Sequence, residues 1–197
     1  MPAIATPLIF VALFNGHNFD GWEGNLDFFR IQDFAIVAGT MERKLPRNEF
    51  LCTKKEYKNF ELQLKFKLLG GPKANAGIQI RSRRAAKNSN HPHEMIGYQA
   101  DMGDGWWGCL YDESRRKKVL AGLPEKERNK IVKQGDWNDY RILCQDRRIQ
   151  LWINGKKTVD YTEPDKKISQ KGLIGLQIHG GPPAEAWYKD IKIKVLP

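Results

Sequence analysis

The chain has 197 residues, of which 41% are apolar and 11% aromatic, and this composition argues against disorder. A chain of this length predicts a single domain, residues 1–197, that buries about 70% of its unfolded surface without disulfides or a metal. Lysine and arginine exceed aspartate and glutamate by 33 − 23, so the formal net charge is +10. No apolar run approaches the roughly 18 residues of a membrane-spanning helix.

The positive charge requires a test for nucleic-acid binding. Basic pairs such as Lys54-Lys55, Arg147-Arg148 and Lys166-Lys167 lie beside turn signals and are spread over the whole chain. They are not accompanied by a helix-turn-helix, zinc-finger or RNA-recognition motif. The pattern therefore predicts solvated loops and strand edges, and no nucleic-acid partner.

The cysteines and histidines do not form a recognisable metal motif. Cys52, Cys109 and Cys144 are far apart, odd in number and without a Cys-x-x-Cys pair, so we expect buried thiols; one disulfide plus one free thiol is the alternative. His91 and His93 flank a proline but have no defined third ligand. No metal ligands and no cofactor are predicted.

Alternation of apolar and polar residues dominates the chain and predicts β-strands. Two short strands are expected near the N-terminus, around Phe29 and around Phe34. Residues 60–68 predict a longer strand with one buried and one wet face. The last alternating run is residues 191–195.

Turn signals and the scarcity of helical periodicity complete the predicted fold. Asn154-Gly155 follows an alternating run and predicts a type I′ hairpin turn, which needs positive φ at both positions. The best helix candidate is residues 124–132, where Pro124 suits a first turn. Short strands with turn signals at intervals of about 8–12 residues predict an all-β fold, an antiparallel sandwich or barrel with at most one short helix.

Three predicted strands carry a glutamine followed, two residues later, by an ionisable residue. Period two places both members of each pair on one face of the strand. Glutamine offers a donor and an acceptor, which suits a ligand rich in hydroxyl groups. If the three strands share a sheet, they form a polar floor made of Gln79, Arg81, Gln99, Asp101, Gln177 and His179.

An aromatic cluster follows the second of these strands. Trp106 and Trp107 are adjacent and flanked by glycines, so both cannot enter the core from a strand, and we expect one of them to be exposed. Tyr111 follows closely, and Asp104 and Asp112 are nearby. An aromatic ring beside carboxylates is typical of a sugar platform, because the ring stacks on C–H groups and the acids bind hydroxyls.

A series of motifs extends over most of the chain. In order they are Phe14-Asn15-Gly16, Asp20-Gly21-Trp22, Asn75-Ala76-Gly77-Ile78-Gln79-Ile80-Arg81, Gly97-Tyr98-Gln99-Ala100-Asp101, Trp106-Trp107-Gly108, Leu110-Tyr111-Asp112, Trp137-Asn138-Asp139-Tyr140-Arg141, Leu151-Trp152-Ile153-Asn154-Gly155 and Leu176-Gln177-Ile178-His179-Gly180-Gly181. As a set they resemble the 3-keto-disaccharide hydrolase domain, also known as domain of unknown function 1080. The resemblance covers about residues 13–195.

The resemblance implies a concanavalin A-like jelly roll and an enzyme that cleaves glycosidic bonds, with a carbohydrate as partner. It also implies a bacterial, extracytoplasmic protein, although residues 7–14 lack the flanks of a signal peptide. The recurrent Gly-Tyr-x-x-Asp strand of the family falls on Gly97, Tyr98 and Asp101. Some members carry an acid at the position of Gln99.

Two catalytic routes fit these residues. Hydrolysis needs two carboxylates, for which Asp101 and Glu94 are the preferred pair and Asp104 and Asp112 the reserves. If the sugar carries a ketone at C3, the C2 hydrogen is acidic and a base can expel the C1 substituent. Here the base is His179 or Asp101, and Arg81, or a divalent metal in its place, stabilises the enolate.

Two non-enzymatic functions also fit the sequence. A carbohydrate-binding domain without catalysis would use the same glutamines, Tyr98 and tryptophans. A module that binds proteins or acidic polymers would explain the positive charge, and its affinity would fall steeply with salt.

Overall fold

The chain folds into two antiparallel β-sheets packed face to face, which we call the back sheet and the front sheet. The computed structural model describes residues 9–86 and 90–197. In spatial order the back sheet consists of β13 (Lys156–Thr162), β12 (Arg148–Ile153), β11 (Asn138–Gln145), β6 (Phe60–Gly70), β15 (Ala184–Val195), β4 (Ala35–Thr40) and β3 (Phe29–Gln32), and β1 (Val11–Ala12) also pairs with β15. The front sheet consists of β10 (Val119–Ala121), β9 (Leu110–Glu113), β8 (Met95–Gly103), β7 (Asn75–Arg84), β14 (Leu173–Ile178), β5 (Glu49–Thr53) and β2 (Trp22–Glu23). The predicted β-sandwich is confirmed.

The hydrophobic core lies between the two sheets. Strand β6 turns Phe60, Leu62, Leu64 and Phe66 into it, which confirms the inward face predicted from residues 60–68. The front sheet supplies the opposing layer, in which alternate residues of its central strands are fully buried. These include Ile78, Ile80, Tyr98, Ala100, Leu176 and Ile178.

The turns follow the sequence signals, with one exception. Asn154 and Gly155 adopt φ of 48° and 79° between β12 and β13, as the predicted type I′ turn requires. Phe34 was expected to lie in a strand, but it occupies the turn between β3 and β4 with φ of 57° and is 69% exposed. The strand therefore begins one residue later, at Ala35.

The helical prediction is confirmed at reduced length. Pro124 directly precedes the single-turn helix α1 (Glu125–Arg128), and a 3₁₀ turn (Asn129–Ile131) continues it. In the part of the chain that the structure describes, none of the helices has the length and apolarity needed to cross a membrane.

The three cysteines are free and buried, as expected. Cys144 packs in the core between the sheets, and Cys52 packs in a separate cluster with Phe50 and Met95. Burial raises the pKa of Cys52 and of Cys144 to about 12, so both thiols stay protonated near neutral pH.

The three glutamine-bearing strands are neighbours in the front sheet, in the order β8, β7, β14. The register places Gln79 opposite Gln99, and places Gly77 between Asp101 and Gln177. Because the alternate residues of these strands enter the core, the glutamines lie on the outer face of the front sheet. This face carries the candidate site.

Candidate active site

A cavity of about 380 Å³ opens on the outer face of the front sheet. Strands β7, β8 and β9 and the residue after β14 provide most of its walls. The lining residues are Lys73, Asn75, Gln99, Asp101, Trp106, Tyr111, Glu113 and His179. Of these, Gln99, Asp101, Trp106, Tyr111 and His179 were predicted from the sequence, whereas Lys73, Asn75 and Glu113 were not.

A directed chain of hydrogen bonds runs along the floor towards Asp101. The Ser82 hydroxyl donates to Gln79 Oε1 at 2.6 Å, and Gln79 Nε2 donates to Gln99 Oε1 at 2.7 Å. Gln99 Nε2 then donates to Asp101 Oδ1 at 2.6 Å. Each amide uses its oxygen to accept and its nitrogen to donate, so the chain fixes the orientation of both amides. Gln99 thus lines the cavity, whereas Gln79 lies outside the lining and is linked to it through Gln99. A role for either glutamine in ligand binding stays a prediction.

Burial of Asp101 disfavours the charged form of its carboxyl group. Its side chain is almost wholly buried, and burial raises its pKa well above the usual range, with a further contribution from the negative charge of Glu113. Oδ1 accepts the hydrogen bond from Gln99, whereas Oδ2 accepts none from the described residues. Because burial favours the neutral carboxyl group, Asp101 is suited to donating a proton from Oδ2 to a ligand.

Glu113, the last residue of β9, is the second carboxyl group of the cavity. Burial raises its pKa to about 7, and the negative charge of Glu94 adds to the effect. The Ser114 hydroxyl lies 3.4 Å from Glu113 Oε1. A carboxyl group with a pKa near the working pH is suited to accepting a proton during a reaction.

Gly77 has no side chain, and the Gln99 side chain occupies the space that a side chain at position 77 would need. A Cβ atom at position 77 would lie 2.7 Å from both Cγ and Cδ of Gln99, closer than a methyl group is accommodated in proteins. Glycine at this point of β7 thus allows Gln99 to lie across the sheet and reach Asp101.

One of the two adjacent tryptophans is exposed and the other is buried, as expected. Trp106 is 41% exposed at the rim of the cavity, and its ring meets Tyr111 edge-on with 5.8 Å between centroids. Trp107 is buried and stacks on Phe66 in the core. Trp106 and Tyr111 together form an aromatic wall of the cavity. The predicted role of Trp107 in ligand binding is wrong, because its ring faces the core on the other side of the front sheet.

His179 lies at the end of β14 and is exposed to the cavity. Its Nδ1 lies 2.6 Å from the carbonyl oxygen of Gly180, which can only accept a hydrogen bond. Nδ1 therefore carries a proton, and in the neutral ring Nε2 keeps a lone pair.

Gln177 lies on the floor beside Gly77 but outside the cavity lining. It is fully buried, and neither its amide nitrogen nor its amide oxygen has a hydrogen-bond partner among the described residues. The predicted face is correct, but direct contact with a ligand in this cavity remains a prediction.

Arg81 does not join the floor. A register irregularity in the pairing of β7 with β8, between Ile80 and Arg83, and a φ of 50° at Arg81 break the alternation. The side chain is buried and forms hydrogen bonds of 2.7–3.2 Å with oxygen atoms of Lys58, Asp146, Gln170 and Asn59. The expectation that Arg81 stabilises an enolate is therefore wrong, because its donors are committed to holding loops together.

Tyr98 and Asp112 also lie on the inner side of the front sheet. The Tyr98 hydroxyl donates to Glu163 Oε2 at 2.6 Å, and Arg115 and Arg116 pair with Asp112. Burial raises the pKa of Glu163, but hydrogen bonds from Arg116 and Tyr98 outweigh it and leave the value at about 2. This group is a buried ion-pair network between loops, so the predicted substrate contacts of Tyr98 and Asp112 are corrected.

Two further predicted acids lie beside the cavity rather than in it. Glu94 accepts a hydrogen bond from the Met95 amide at 3.0 Å, and burial raises its pKa. Asp104 belongs to a surface loop, where it accepts a hydrogen bond from Asn129 and lines a separate depression. The predicted carboxylate pair of Asp101 and Glu94 is thus replaced in the cavity by Asp101 and Glu113.

The fold has been seen in other proteins. A structure from Parabacteroides distasonis, described as a "putative glycosyl hydrolase", is 24% identical, with a TM-score of 0.67, and the match covers 95% of this chain and all of that one. A second, described in the same words and from the same organism, is 21% identical with a TM-score of 0.69 and covers 95% and 94%. The carbohydrate-binding module CBM66 from Bacillus subtilis is 12% identical with a TM-score of 0.63 and covers 88% and 95%. These likenesses confirm the concanavalin A-like jelly roll.

The sequence itself matches one family. The profile of the 3-keto-alpha-glucoside-1,2-lyase-like domain matches residues 10–194. A search of curated proteins finds no match.

Proposed function

The chain belongs to the family of 3-keto-alpha-glucoside-1,2-lyase-like domains, and from that premise we propose that it cleaves the glycosidic bond of a 3-keto-glycoside by elimination. One observation carries the proposal. The cavity is lined by two carboxyl groups, the buried Asp101 and the half-buried Glu113, and burial raises the pKa of both, that of Glu113 to about 7. Such a pair separates the roles of acid and base at one pH.

The C3 ketone makes the C2 hydrogen acidic, and Glu113 is the proposed base. Its carboxylate takes the C2 proton, and the electrons of the C2–H bond form a C1=C2 double bond as the C1–O bond breaks. The leaving oxygen takes the proton of Asp101. The products are an alcohol and a 1,2-unsaturated 3-keto sugar, and proton exchange with solvent restores both carboxyl groups.

The remaining cavity residues support this chemistry. Lys73 lines the cavity and, in place of Arg81, provides positive charge for the C3 oxygen, on which negative charge develops as the C2 proton leaves. His179 offers Nε2 to a sugar hydroxyl, because its Nδ1 proton is held by Gly180. Trp106 and Tyr111 form a wall against which the C–H face of a sugar ring can pack.

Binding without cleavage is the second candidate. It is favoured by the structural likeness to CBM66 and by the exposed aromatic wall, which a binding module would also need. The perturbed carboxyl groups favour the enzyme, because a binder gains nothing from a carboxyl group with a pKa near 7.

Turnover of a 3-keto-α-glucoside by variants tests the assignment. Glu113→Gln and Asp101→Asn should each lower kcat by about 100-fold or more, since each removes a proton-transfer group. Glu42→Gln is the matched control, because Glu42 is exposed and does not line the cavity. Activity of the wild-type chain should rise with pH through about 7, as Glu113 ionises. Intact substrate after incubation with the wild-type chain would favour the binding module, and wild-type turnover by both variants would remove these residues from the mechanism.

Location outside the cytoplasm, expected from the family resemblance, is part of the same proposal. Its support is the family match over residues 10–194. Fractionation of the native host, with the chain found in the cytoplasm, would contradict it.

A further inference from the structure

A second and larger cavity, of about 930 Å³, opens on the outer face of the back sheet, on the side of the sandwich opposite the candidate active site. It crosses strands β12, β11, β6 and β15, with the segment around β1 as one wall. Its polar lining comes from Gln63, Lys65, Asp139, Arg141, Asp190 and Lys192, with the ring of Trp152 beside them. Nothing in the proposed cleavage reaction uses this surface.

Positive side chains on this face are held against aromatic rings. The Arg141 guanidinium lies 4.1 Å from the centroid of Trp152, and Lys189 Nζ lies 4.1 Å from that of Trp137. Lys67 lies over Trp187 at 4.3 Å. Contact with the ring face fixes the position of each cation and leaves its other donors for a ligand.

The charges on this face are not balanced. Asp139 pairs with Lys65 at 2.7 Å, and Glu61 pairs with Arg141 at 2.6 Å. Within residues 9–86 and 90–197, no carboxylate lies within salt-bridge distance of Lys67, Lys189 or Lys192. Part of the excess of positive charge in the chain therefore lies on this outer face, although Asp139 and Asp190 also line its cavity.

We propose that the outer face of the back sheet binds an acidic polysaccharide. The three lysines without a carboxylate partner would bind the anionic groups, and Gln63, Asp139 and Asp190 would bind hydroxyl groups in the cavity. The rings of Trp137, Trp152 and Trp187 are covered by cations, so they are not free to stack on nucleobases. A ligand rich in both hydroxyl groups and negative charge fits this surface better than a nucleic acid.

Such a site would hold the protein on a polymer while the opposite face cleaves a small glycoside. The proposal does not depend on that cleavage, because the two cavities lie on opposite sides of the sandwich. The two functions can therefore be lost separately by substitution.

Binding of oligogalacturonate by the full chain, followed by calorimetry at low salt, tests the proposal. We expect saturable binding that weakens as salt is added. Lys192→Glu should weaken it by about fivefold, because Lys192 is exposed and lines the cavity. Lys166→Glu makes the same charge change at an exposed position on a distant loop and should leave binding unchanged.

The outcomes separate this site from the active site. Lys192→Glu should still cleave a 3-keto-α-glucoside, and Glu113→Gln should still bind oligogalacturonate. The proposal is overturned if the wild-type chain does not bind oligogalacturonate, or if Lys166→Glu weakens binding as much as Lys192→Glu. Equal affinity for a neutral oligosaccharide or for duplex DNA of similar length would also overturn it.

Discussion

Replacing Glu113 by glutamine should stabilise the folded protein, and the gain should depend on pH. Burial and the nearby Glu94 raise the pKa of Glu113 from 4.5 to about 7 in the folded protein. Below about pH 4.5 the side chain is protonated in both the folded and the unfolded chain. Between about pH 4.5 and 7 the unfolded chain loses this proton while the folded chain keeps it, so stability falls across that range and stays lower above it. Glutamine does not ionise and avoids this loss.

The size of the gain follows from the pKa of Glu113. A rise from 4.5 to about 7 corresponds to about 3 kcal/mol, at about 1.4 kcal/mol per pH unit. Glu113 remains partly exposed, and solvent screening reduces this to about 1–2 kcal/mol. We therefore expect Glu113→Gln to raise the free energy of unfolding by about 1–2 kcal/mol at about pH 8 and by little at about pH 4.

Urea unfolding of the wild-type chain and the variant, at both pH values, measures the effect. Each comparison is made at one pH, so the titration of other acids cancels. Glu42→Gln is again the control, because an exposed carboxylate should give a difference near zero at both pH values. An equal gain at both pH values, or a loss of stability at about pH 8, would refute the burial argument for Glu113.

Three further substitutions test the structural roles assigned above. Gly77→Ala should displace the Gln99 side chain, whose Cδ lies 2.7 Å from the new methyl position, and lower kcat by about tenfold or more, with little change in KM. Arg116→Ala should cost about 3–5 kcal/mol in urea unfolding, because it leaves the buried Glu163 carboxylate without its cation. Arg81→Lys should lower the free energy of unfolding by about 2 kcal/mol and leave kcat of the folded protein unchanged, since only a guanidinium makes these hydrogen bonds. A loss of kcat without a loss of stability would return Arg81 to the mechanism.

Period-two alternation predicted most of the fold because each sheet has one face in the core. The burial of alternate residues in β6 and the shared face of Gln99 and Asp101 both follow from that rule. The rule failed at Arg81, where a register irregularity and a positive φ reverse the direction of the side chain. Irregularities of this kind depend on the neighbouring strand, which the local sequence of β7 does not reveal.

Part of the site was missed for two different reasons. Glu113 could have been found, since it follows Tyr111 by two residues and period two places both on one face of β9. The basic residues 115–118 that follow it favour a solvated loop instead. Lys73 carries no such signal, because it lies in a loop before β7 and only the folded chain brings it to the cavity.

The inner network of Tyr98 shows the opposite error. The motif that contains Tyr98 resembles that of the family and predicts a substrate contact for this residue. Alternation along β8 places Tyr98 on the face opposite to Gln99, which is the face that enters the core. The family motif at this point therefore combines one structural residue, Tyr98, with one cavity residue, Asp101.

Cleavage of a 3-keto-α-glucoside that carries deuterium at C2 tests the central claim most directly. Elimination breaks the C2–H bond, whereas hydrolysis leaves it intact. Incubations without enzyme and with Glu113→Gln correct for spontaneous exchange beside the ketone. The proposed mechanism predicts that deuterium is released to solvent in step with cleavage and that a 1,2-unsaturated 3-keto sugar forms. Cleavage with full retention of deuterium, or binding without any cleavage, would contradict it.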